Sequence, residues 1–474
     1  MKNAPYKTMA AAIAAGGLLA LAGCGGSDPP AITFTPFESN FGLVVADVNG
    51  DGLPDVVTGR TLHQPVAPGE SGALYTALHN AGAGGGYAAE SHVAAGTEPL
   101  YLASADLDGD GLPDIVSADF DAAALHVFLN SAAQPGQWAM PLTLPATGVS
   151  QVAIGDLNGD GKPDLVAADF AVDVFLQDPA TAGHFLAPTG LNAGGANWVA
   201  IGDLNHDGLP DVVVTDATGV KFFQHAADPN SATFLAPVTV FTQTPNIAFS
   251  GANYVAIADV NGDGYADLVI TDPGPYGPTP PTVNVLLQDA AAPGTFLAAA
   301  SYSVPMGRVA QAISVADVNG DGLPDLLYGD SKGVSVLLQV AAAPGTFAAA
   351  TTYAAPLGAF QLGVADVDGD GLMDIVASNS TMLTSSGGVL TTRPGVLLQD
   401  PAAHGSFKAL QDLPRTRPAC TSQAARAHQP RRASRGASAP AASGPGPRRW
   451  QWCRPASRAS RSRGGPWAGP ARPR

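Results

Sequence analysis

The chain has 474 residues, of which 40 are acidic and 23 basic, giving a formal net charge of −17, and 46% are hydrophobic. That balance supports a sizeable buried core and excludes the broad basic surfaces that nucleic acid selects. The cysteines stand only at 24, 420 and 453, so the long stretch between the first and second has no disulfide framework.

The chain opens on Lys2 and Lys7, then an apolar run over 9–21, then Leu21-Ala22-Gly23-Cys24, which matches a bacterial lipobox. The run is too short to span a bilayer and has the flanks of an export signal. Residues 1–23 therefore read as a lipoprotein signal peptide, Cys24 as the lipidated mature terminus, and 24–31 as a polar tether. Gly25, standing where Asp would direct inner-membrane retention, points to the outer membrane or cell surface. No later run approaches ~18 consecutive apolar residues, so the mature chain is not expected to span a membrane.

From 32 to 414 one motif, D-x-[DN]-x-D-G-x-x-D, occurs seven times. Positions 1, 3, 5 and 9 are Asp47, Asn49, Asp51 and Asp55 in the first copy, and Asp106, Asp108, Asp110 and Asp114 in the second. The third has Asp156, Asn158, Asp160 and Asp164, and the fourth Asp203, Asn205, Asp207 and Asp211. Asp259, Asn261, Asp263 and Asp267 form the fifth, and Asp317, Asn319, Asp321 and Asp325 the sixth. The seventh has Asp366, Asp368, Asp370 and Asp374. Oxygen ligands at this spacing are the chemistry of Ca²⁺, which takes 6–8 oxygens, and a backbone carbonyl at position 7 adds one more. Position 7 is Leu53, Leu112, Lys162, Leu209, Tyr265, Leu323 or Leu372, a freedom suited to a residue that offers only its carbonyl. Glycine at position 6 permits the positive-φ turn that folds the oxygens inward. Position 4 is glycine except for His206, which is expected to face solvent. A set of metal-free Asp/Asn/Gly turns is the plainer alternative; seven copies with fixed carboxylate spacing weigh against it.

These loops are not EF-hands, because position 12 lacks the bidentate Glu and the flanks are short β-branched runs such as Val212-Val213-Val214. The repeats resemble the FG-GAP/VCBS repeats of integrin α-subunit propellers and many secreted bacterial proteins. That resemblance implies a β-propeller whose hairpin loops hold Ca²⁺. It leaves the partner open, since such repeats occur in adhesins, lectin-like proteins and some enzymes.

Successive motifs start 59, 50, 47, 56, 58 and 49 residues apart, the length of a four-stranded blade with insertions. In each unit one strand enters the loop, a second leaves it (165–168) and a third follows (172–176, 283–287, 334–338, 396–398). A fourth is expected to begin at an aromatic: Phe185, Phe234, Phe296, Phe347 or Phe407. The expected fold is all-β, a seven-bladed β-propeller with Ca-binding hairpin loops, or the truncated remnant of an eight-bladed one. The eighth blade enters because 32–37 resembles an orphan fourth strand, while the last unit seems complete through 406–410.

From 415 to 474 the composition changes to fourteen Arg, no Lys and no acid, leaving −31 on residues 1–414. A basic arm, a disordered extension and a shifted reading frame in a GC-rich gene compete; the shifted frame also accounts for the orphan strand's lost partner. Of the 40 acidic residues, 23 belong to the seven loops, so the body's charge is largely a metal-site charge rather than a sign of a cationic partner.

Signs of catalysis are sparse. Gly329-Asp-Ser-Lys-Gly333 has nucleophile-elbow spacing, but a strand follows where a helix is required, so Ser331 reads as a hairpin turn. Gly84-Gly85-Gly86 lacks the strand-to-helix context of a phosphate loop. Trp138, Trp198, Tyr254 and Tyr276 could stack on sugars or simply pack. The sequence thus points to a non-enzymatic, envelope-anchored propeller binding a protein or glycan, with no nucleic-acid role. The alternative is a propeller hydrolase or lyase acting on extracellular polysaccharide.

Overall fold

The computed structural model describes residues 38–413, except 63–71, 81–85, 147, 169, 217, 227, 229–230, 243–253, 274–279, 331, 356–357 and 379–393. The chain divides into two compact units, 1–417 and 418–474. The second unit, the leader with Cys24, the orphan segment 32–37, Gly84 and Gly85, Tyr276 and Ser331 lie outside the described residues.

Among the described residues the secondary structure is all β, arranged as seven four-stranded antiparallel sheets. Each sheet is one continuous stretch of chain: 38–94, 99–145, 151–191, 198–242, 255–303, 312–354 and 362–412, here blades 1 to 7. Each blade's first strand packs on the first strand of the next, and blade 7's on blade 1's, so the ring closes on seven. The protein is a seven-bladed β-propeller, and a ring closed on seven leaves no gap for an eighth sheet.

Burial follows position in the blade. The second strands are covered on both faces, as in Asp114–Asp119 and Asp164–Ala168, where every residue is buried. The fourth strands form the rim, and Thr351–Ala354 is largely exposed. Seven apolar clusters fill the seven blade interfaces. Between blades 2 and 3, for example, Val116 and Leu125 meet Val152, Leu165 and Phe175. This is why the second strands read as unbroken apolar runs rather than alternating ones.

The fourth strands begin four residues later than expected. Phe185 makes an isolated bridge to Gln177, and the strand proper is Thr189–Leu191. In blade 7 the strand is Gln411–Asp412, past the expected 406–410. The ladder bonds continue beside the aromatic, Leu186 N–H to the Leu176 carbonyl at 2.8 Å and Asp178 N–H to the His184 carbonyl at 2.7 Å, and a one-residue register shift separates the Gln177–Phe185 bridge from the Val174–Thr189 pair where the strand proper begins. Tyr87 and Trp138 occupy the same position in blades 1 and 2.

The ring closes without a strand shared between its ends. Blade 7 pairs its own fourth strand with Gly395–Leu397. Leu43, Val56 and Tyr87 pack against Val367, Val376 and Leu413 across the seam. Gln361 adds a polar stitch, its Oε1 accepting from the Leu43 N–H and its Nε2 donating to the Leu102 carbonyl, both at 2.9 Å. Gln361→Ala strands both backbone groups and is expected to cost about 2 kcal/mol in urea unfolding. A loss below about 0.5 kcal/mol would show that the apolar cluster closes the ring unaided.

Candidate metal centres

The motif loops join the first and second strands of every blade. Position 9 is the first residue of the second strand, as in Asp164–Ala168, and is 0–1% exposed in all seven copies. Its carboxylate is a clasp. Asp164 Oδ2 accepts the Leu157 N–H at 2.9 Å, and Oδ1 accepts the Gln177 N–H at 2.7 Å. Asp55, Asp114, Asp211, Asp267, Asp325 and Asp374 make the same two contacts in their own blades. Burial outweighs these hydrogen bonds and pushes each of the seven carboxyls up to about 6.

The remaining oxygens fold over the clasp. Asp156 accepts from the Asp160 and Gly161 N–H groups at 3.2 and 2.8 Å. Asn158 Oδ1 accepts the Asp160 N–H at 3.0 Å, and Asp160 Oδ1 accepts the Lys162 N–H at 2.9 Å. Gly161 has φ of 81°, and open space surrounds its missing side chain, so the demand for glycine is conformational rather than steric. Position 4 is left-handed as well, a requirement that the sequence reading did not draw. His206, exposed as expected, holds this conformation at φ 59° and lies 4.7 Å from the Tyr265 ring of the next loop. Position 7 side chains turn away from the oxygens; Lys162 Nζ donates to the Pro179 carbonyl at 2.9 Å.

The donor set fits a hard cation. In Asp106, Asp108 and Asp114, and again in Asp366, Asp368 and Asp374, one oxygen of each residue lies within 4.8 Å of the others. Ligands on opposite sides of a Ca²⁺ ion at ~2.4 Å stand about that far apart. Burial, then the neighbouring carboxylates, raise the Asp108 carboxyl, and the same causes act on Asp368. A divalent ion relieves both effects, so acidic clusters able to bind a metal are present at two loops. The other five carry Asn at position 3.

The sequence reading missed the row past the third strands: His79, Asn130, Gln177, His225, Gln288, Gln339 and Gln399. Gln177 Nε2 donates to the carbonyl of Leu107, position 2 of the preceding blade's loop, at 3.0 Å. Asn130 reaches Val48, and Gln399 reaches Val318, in the same way. His225 Nε2 meets the Leu157 carbonyl at 2.9 Å. An amide or imidazole eight or nine residues before each aromatic was the available signal.

Of the three described aromatics singled out in the sequence, Trp138 stands apart from Trp198 and Tyr254. Trp138 donates its indole N–H to Thr76 Oγ1 at 2.7 Å, bridging blades 2 and 1. Trp198 and Tyr254 do meet, at 4.4 Å between ring centroids, and Tyr101 joins them 4.9 Å from Trp198. One carboxylate–imidazole–hydroxyl row lies in blade 2: Asp119 Oδ2 is 3.5 Å from His126 Nε2, and His126 Nδ1 is 3.1 Å from Thr143 Oγ1. Blades 5 and 6 place Asn284 with Ser301 and Ser335 with Thr352 in the same layer, so the row is one version of a recurrent polar layer. No helix among the described residues is long and apolar enough to cross a membrane.

A seven-bladed ring with an acidic hairpin in each blade defines a repeat-built β-propeller. The FG-GAP-like repeat pattern matches residues 106–167, 203–270, 259–328 and 317–377, and the FG-GAP repeat pattern matches 39–76. Together they span more than half of the chain, which belongs to the FG-GAP repeat family. No curated protein matches it. Among solved structures it is similar to an Agrocybe aegerita lectin recognising non-reducing terminal N-acetylglucosamine, with 17% identity, TM-score 0.43, and 67% of this chain and 80% of that one covered. A Lactobacillus plantarum protein has 13% identity and TM-score 0.47, with 80% and 97% covered. A rhamnogalacturonan lyase has 13% identity and TM-score 0.39, with 77% and 70% covered.

Clasp and ligand positions separate by mutation. Asp164→Ala leaves two buried N–H groups without acceptors and is expected to cost about 3 kcal/mol even in chelator. Asp160→Ala is expected to melt like the parent in chelator and to lose only the gain that Ca²⁺ brings. Equal losses for the two variants in chelator would contradict this division.

The raised position 9 carboxyls also fix a sign. A folded pKa of about 6, above the usual value near 4, makes the metal-free fold bind protons more tightly than the unfolded chain, so stability falls as pH rises from 4 to 6. In chelator the melting temperature is expected to be higher at pH 5 than at pH 7.5. With saturating Ca²⁺, which needs ionised carboxylates, the order is expected to reverse.

Proposed function

We propose that this chain is a calcium-stabilised, non-enzymatic binding module, held on a bacterial envelope through lipidated Cys24, that takes a protein or glycan on its blade-connecting loops. The observation that carries this reading is the contrast between the two ends of the ring. At one end all seven loops between first and second strands have the same length. At the other end the second-to-third connections run from two residues (331–332) to seventeen (378–394). Uniform loops on a rigid scaffold suit a structural ion, and loops of varied length suit recognition.

Ca²⁺ in the loops would offset the 23 crowded carboxylates and hold positions 1, 3 and 5 against the buried clasp. Its preference over Mg²⁺ follows from the flexible, many-oxygen geometry, which Mg²⁺ tolerates poorly. Export would bring the loops into calcium-rich surroundings, which suits weak ~10⁻⁴–10⁻³ M sites. Nothing in the acidic body favours nucleic acid.

A second reading, an enzyme acting on extracellular polysaccharide, draws on the Asp119–His126–Thr143 row, because Thr143 is exposed above a buried imidazole and carboxylate. The recurrence of similar polar pairs in blades 5 and 6 favours a packing role for it.

The full chain, expressed with its leader, is expected to melt lower in chelator and to recover more with Ca²⁺ than with Mg²⁺. Cys24→Ser is expected to move it from the membrane to the soluble fraction. An unchanged melt removes the calcium assignment, and membrane retention of Cys24→Ser removes the anchor. Polysaccharide depolymerisation that His126→Ala abolishes would favour the enzyme.

A further inference from the structure

Four of the seven motif loops carry Asn then Gly at positions 3 and 4: Asn49-Gly50, Asn158-Gly159, Asn261-Gly262 and Asn319-Gly320. Blade 4 has Asn205-His206 there, and blades 2 and 7 have Asp108-Gly109 and Asp368-Gly369. Asparagine followed by glycine is chemically labile, because no Cβ shields the glycine nitrogen from the side-chain carbonyl carbon. The four glycines are exposed and their asparagines half-buried. The loop also holds the reacting groups together. Asn49 Oδ1 accepts the Asp51 N–H at 2.9 Å, and Asn158 Oδ1 the Asp160 N–H at 3.0 Å, so each side chain folds back over the peptide that carries the glycine nitrogen. A donor on that oxygen stabilises the charge that develops there during attack.

The four loops differ at the nucleophile. The Gly262 and Gly320 N–H groups donate to Asp259 and Asp317 Oδ1, both at 2.7 Å. In blades 1 and 3 the position 1 carboxylate accepts from positions 5 and 6 instead: Asp47 from Asp51 and Gly52, Asp156 from Asp160 and Gly161. Among the described residues the Gly50 and Gly159 N–H groups have no protein acceptor, so their nitrogens turn to the asparagine without losing a hydrogen bond to the protein.

We propose that Asn49 and Asn158 are self-modification sites, converted to Asp and isoAsp by attack of the Gly50 and Gly159 nitrogens. The glycine N–H gives its proton to hydroxide, a bond forms from that nitrogen to the asparagine Cγ, and the Cγ–Nδ2 bond breaks. Ammonia leaves with a proton from water, and a succinimide remains. Water opens that ring at either carbonyl; the sum is amide plus water to carboxylate plus ammonium, with no change of oxidation state. The two products act oppositely. Asp supplies the fourth carboxylate that blades 2 and 7 encode as Asp108 and Asp368. IsoAsp inserts a methylene into the main chain between positions 3 and 4 and shifts position 5 against the clasp. Both hairpins carry links to the next blade: the Val48 carbonyl takes Asn130 Nδ2 at 2.6 Å, and the Leu157 carbonyl meets His225 Nε2 at 2.9 Å. IsoAsp therefore loosens blade 1 from blade 2, or blade 3 from blade 4.

The test holds the full chain in chelator at mildly alkaline pH, well below its melting temperature, with circular dichroism following the fold. Peptide mapping after incubation in heavy-oxygen water scores each asparagine. Conversion is expected to be severalfold faster at 49 and 158 than at 261 and 319, and slowest at 205, where the His206 side chain shields the nitrogen. Gly159→His copies blade 4, whose His206 holds φ of 59° against 69° for Gly159, and is expected to bring 158 down to the rate of 205. Gly50→His repeats the comparison at 49 should the first variant not fold. Intact Asn49 and Asn158, equal rates at all four Asn-Gly pairs, or no slowing in the histidine variants overturns the proposal. A further arm rests on the calcium reading: saturating Ca²⁺, by holding the position 3 oxygen, is expected to slow all four sites severalfold. The ranking kept in chelator with no slowing in Ca²⁺ overturns that reading and leaves the modification standing.

Discussion

The buried carboxylate at position 9 is the interaction on which the ring depends. It sits where the second strand begins and accepts one N–H from its own hairpin and one from the residue just past the third strand. Those two bonds fix the hairpin to the sheet in every blade, Asp164 with Leu157 and Gln177 being the pattern. The same residue, Gln177, makes the isolated bridge to Phe185, which packs between blades. The Gln177 side chain reaches the hairpin of the preceding blade. One aspartate therefore fixes a hairpin to the third strand and holds the residue that makes a blade-to-blade link. The energetic cost is a carboxylate held in apolar surroundings, visible in its raised pKa.

This arrangement separates two jobs that the motif's spacing alone merges. Positions 1, 3 and 5 accept hydrogen bonds chiefly from within the loop, with Asp110 also taking the Ala132 N–H at 3.2 Å, so they are free to respond to an ion. Position 9 answers to the sheet first. A metal at the hairpin would therefore act on the fold through the clasp: tightening positions 1 to 5 holds the position 2 backbone, whose carbonyl meets the next blade's amide in three blades and its imidazole in a fourth. An ion there would couple to blade stacking through backbone atoms, not through long-range charge, which salt would screen.

Much of this was legible in the sequence, for a definite reason. A hairpin that must present oxygens at positions 1, 3, 5 and 9 and turn at glycine has almost no freedom of spacing, so seven copies announce seven sheets. Strand runs such as Val212-Val213-Val214 declare burial on both faces. The fourth strands were misplaced because a one-residue register shift, marked by no residue pattern, separates the aromatic bridge from the ladder proper, as between Gln177–Phe185 and Val174–Thr189. The eight-bladed alternative arose from 32–37, which resembles a fourth strand, beside a last unit that carries its own; blade 7 does pair its own fourth strand, and the ring closes on seven. The position 9 residues, grouped with the ligands by spacing, proved to be bonded to the sheet first.

The level near the start of the first strands was the least legible part, and the reason is instructive. Gly42, Tyr101, Gln151, Trp198, Tyr254, Gln311 and Gln361 share that level but no residue type, so no repeat pattern joins them. Only the strand register shows that they belong together. Gly42 illustrates the local constraint: a Cβ there would lie 2.7 Å from Leu102 Cγ, so blade 1 contributes no side chain, and Gln361 from the other side of the seam bridges to Leu43 and Leu102. A sevenfold scaffold thus becomes directional at this level, with aromatics on blades 2, 4 and 5 and amides on 3, 6 and 7. Symmetry is retained where the buried aspartate and the backbone impose it, and is lost at the ring level where side chains meet across the axis.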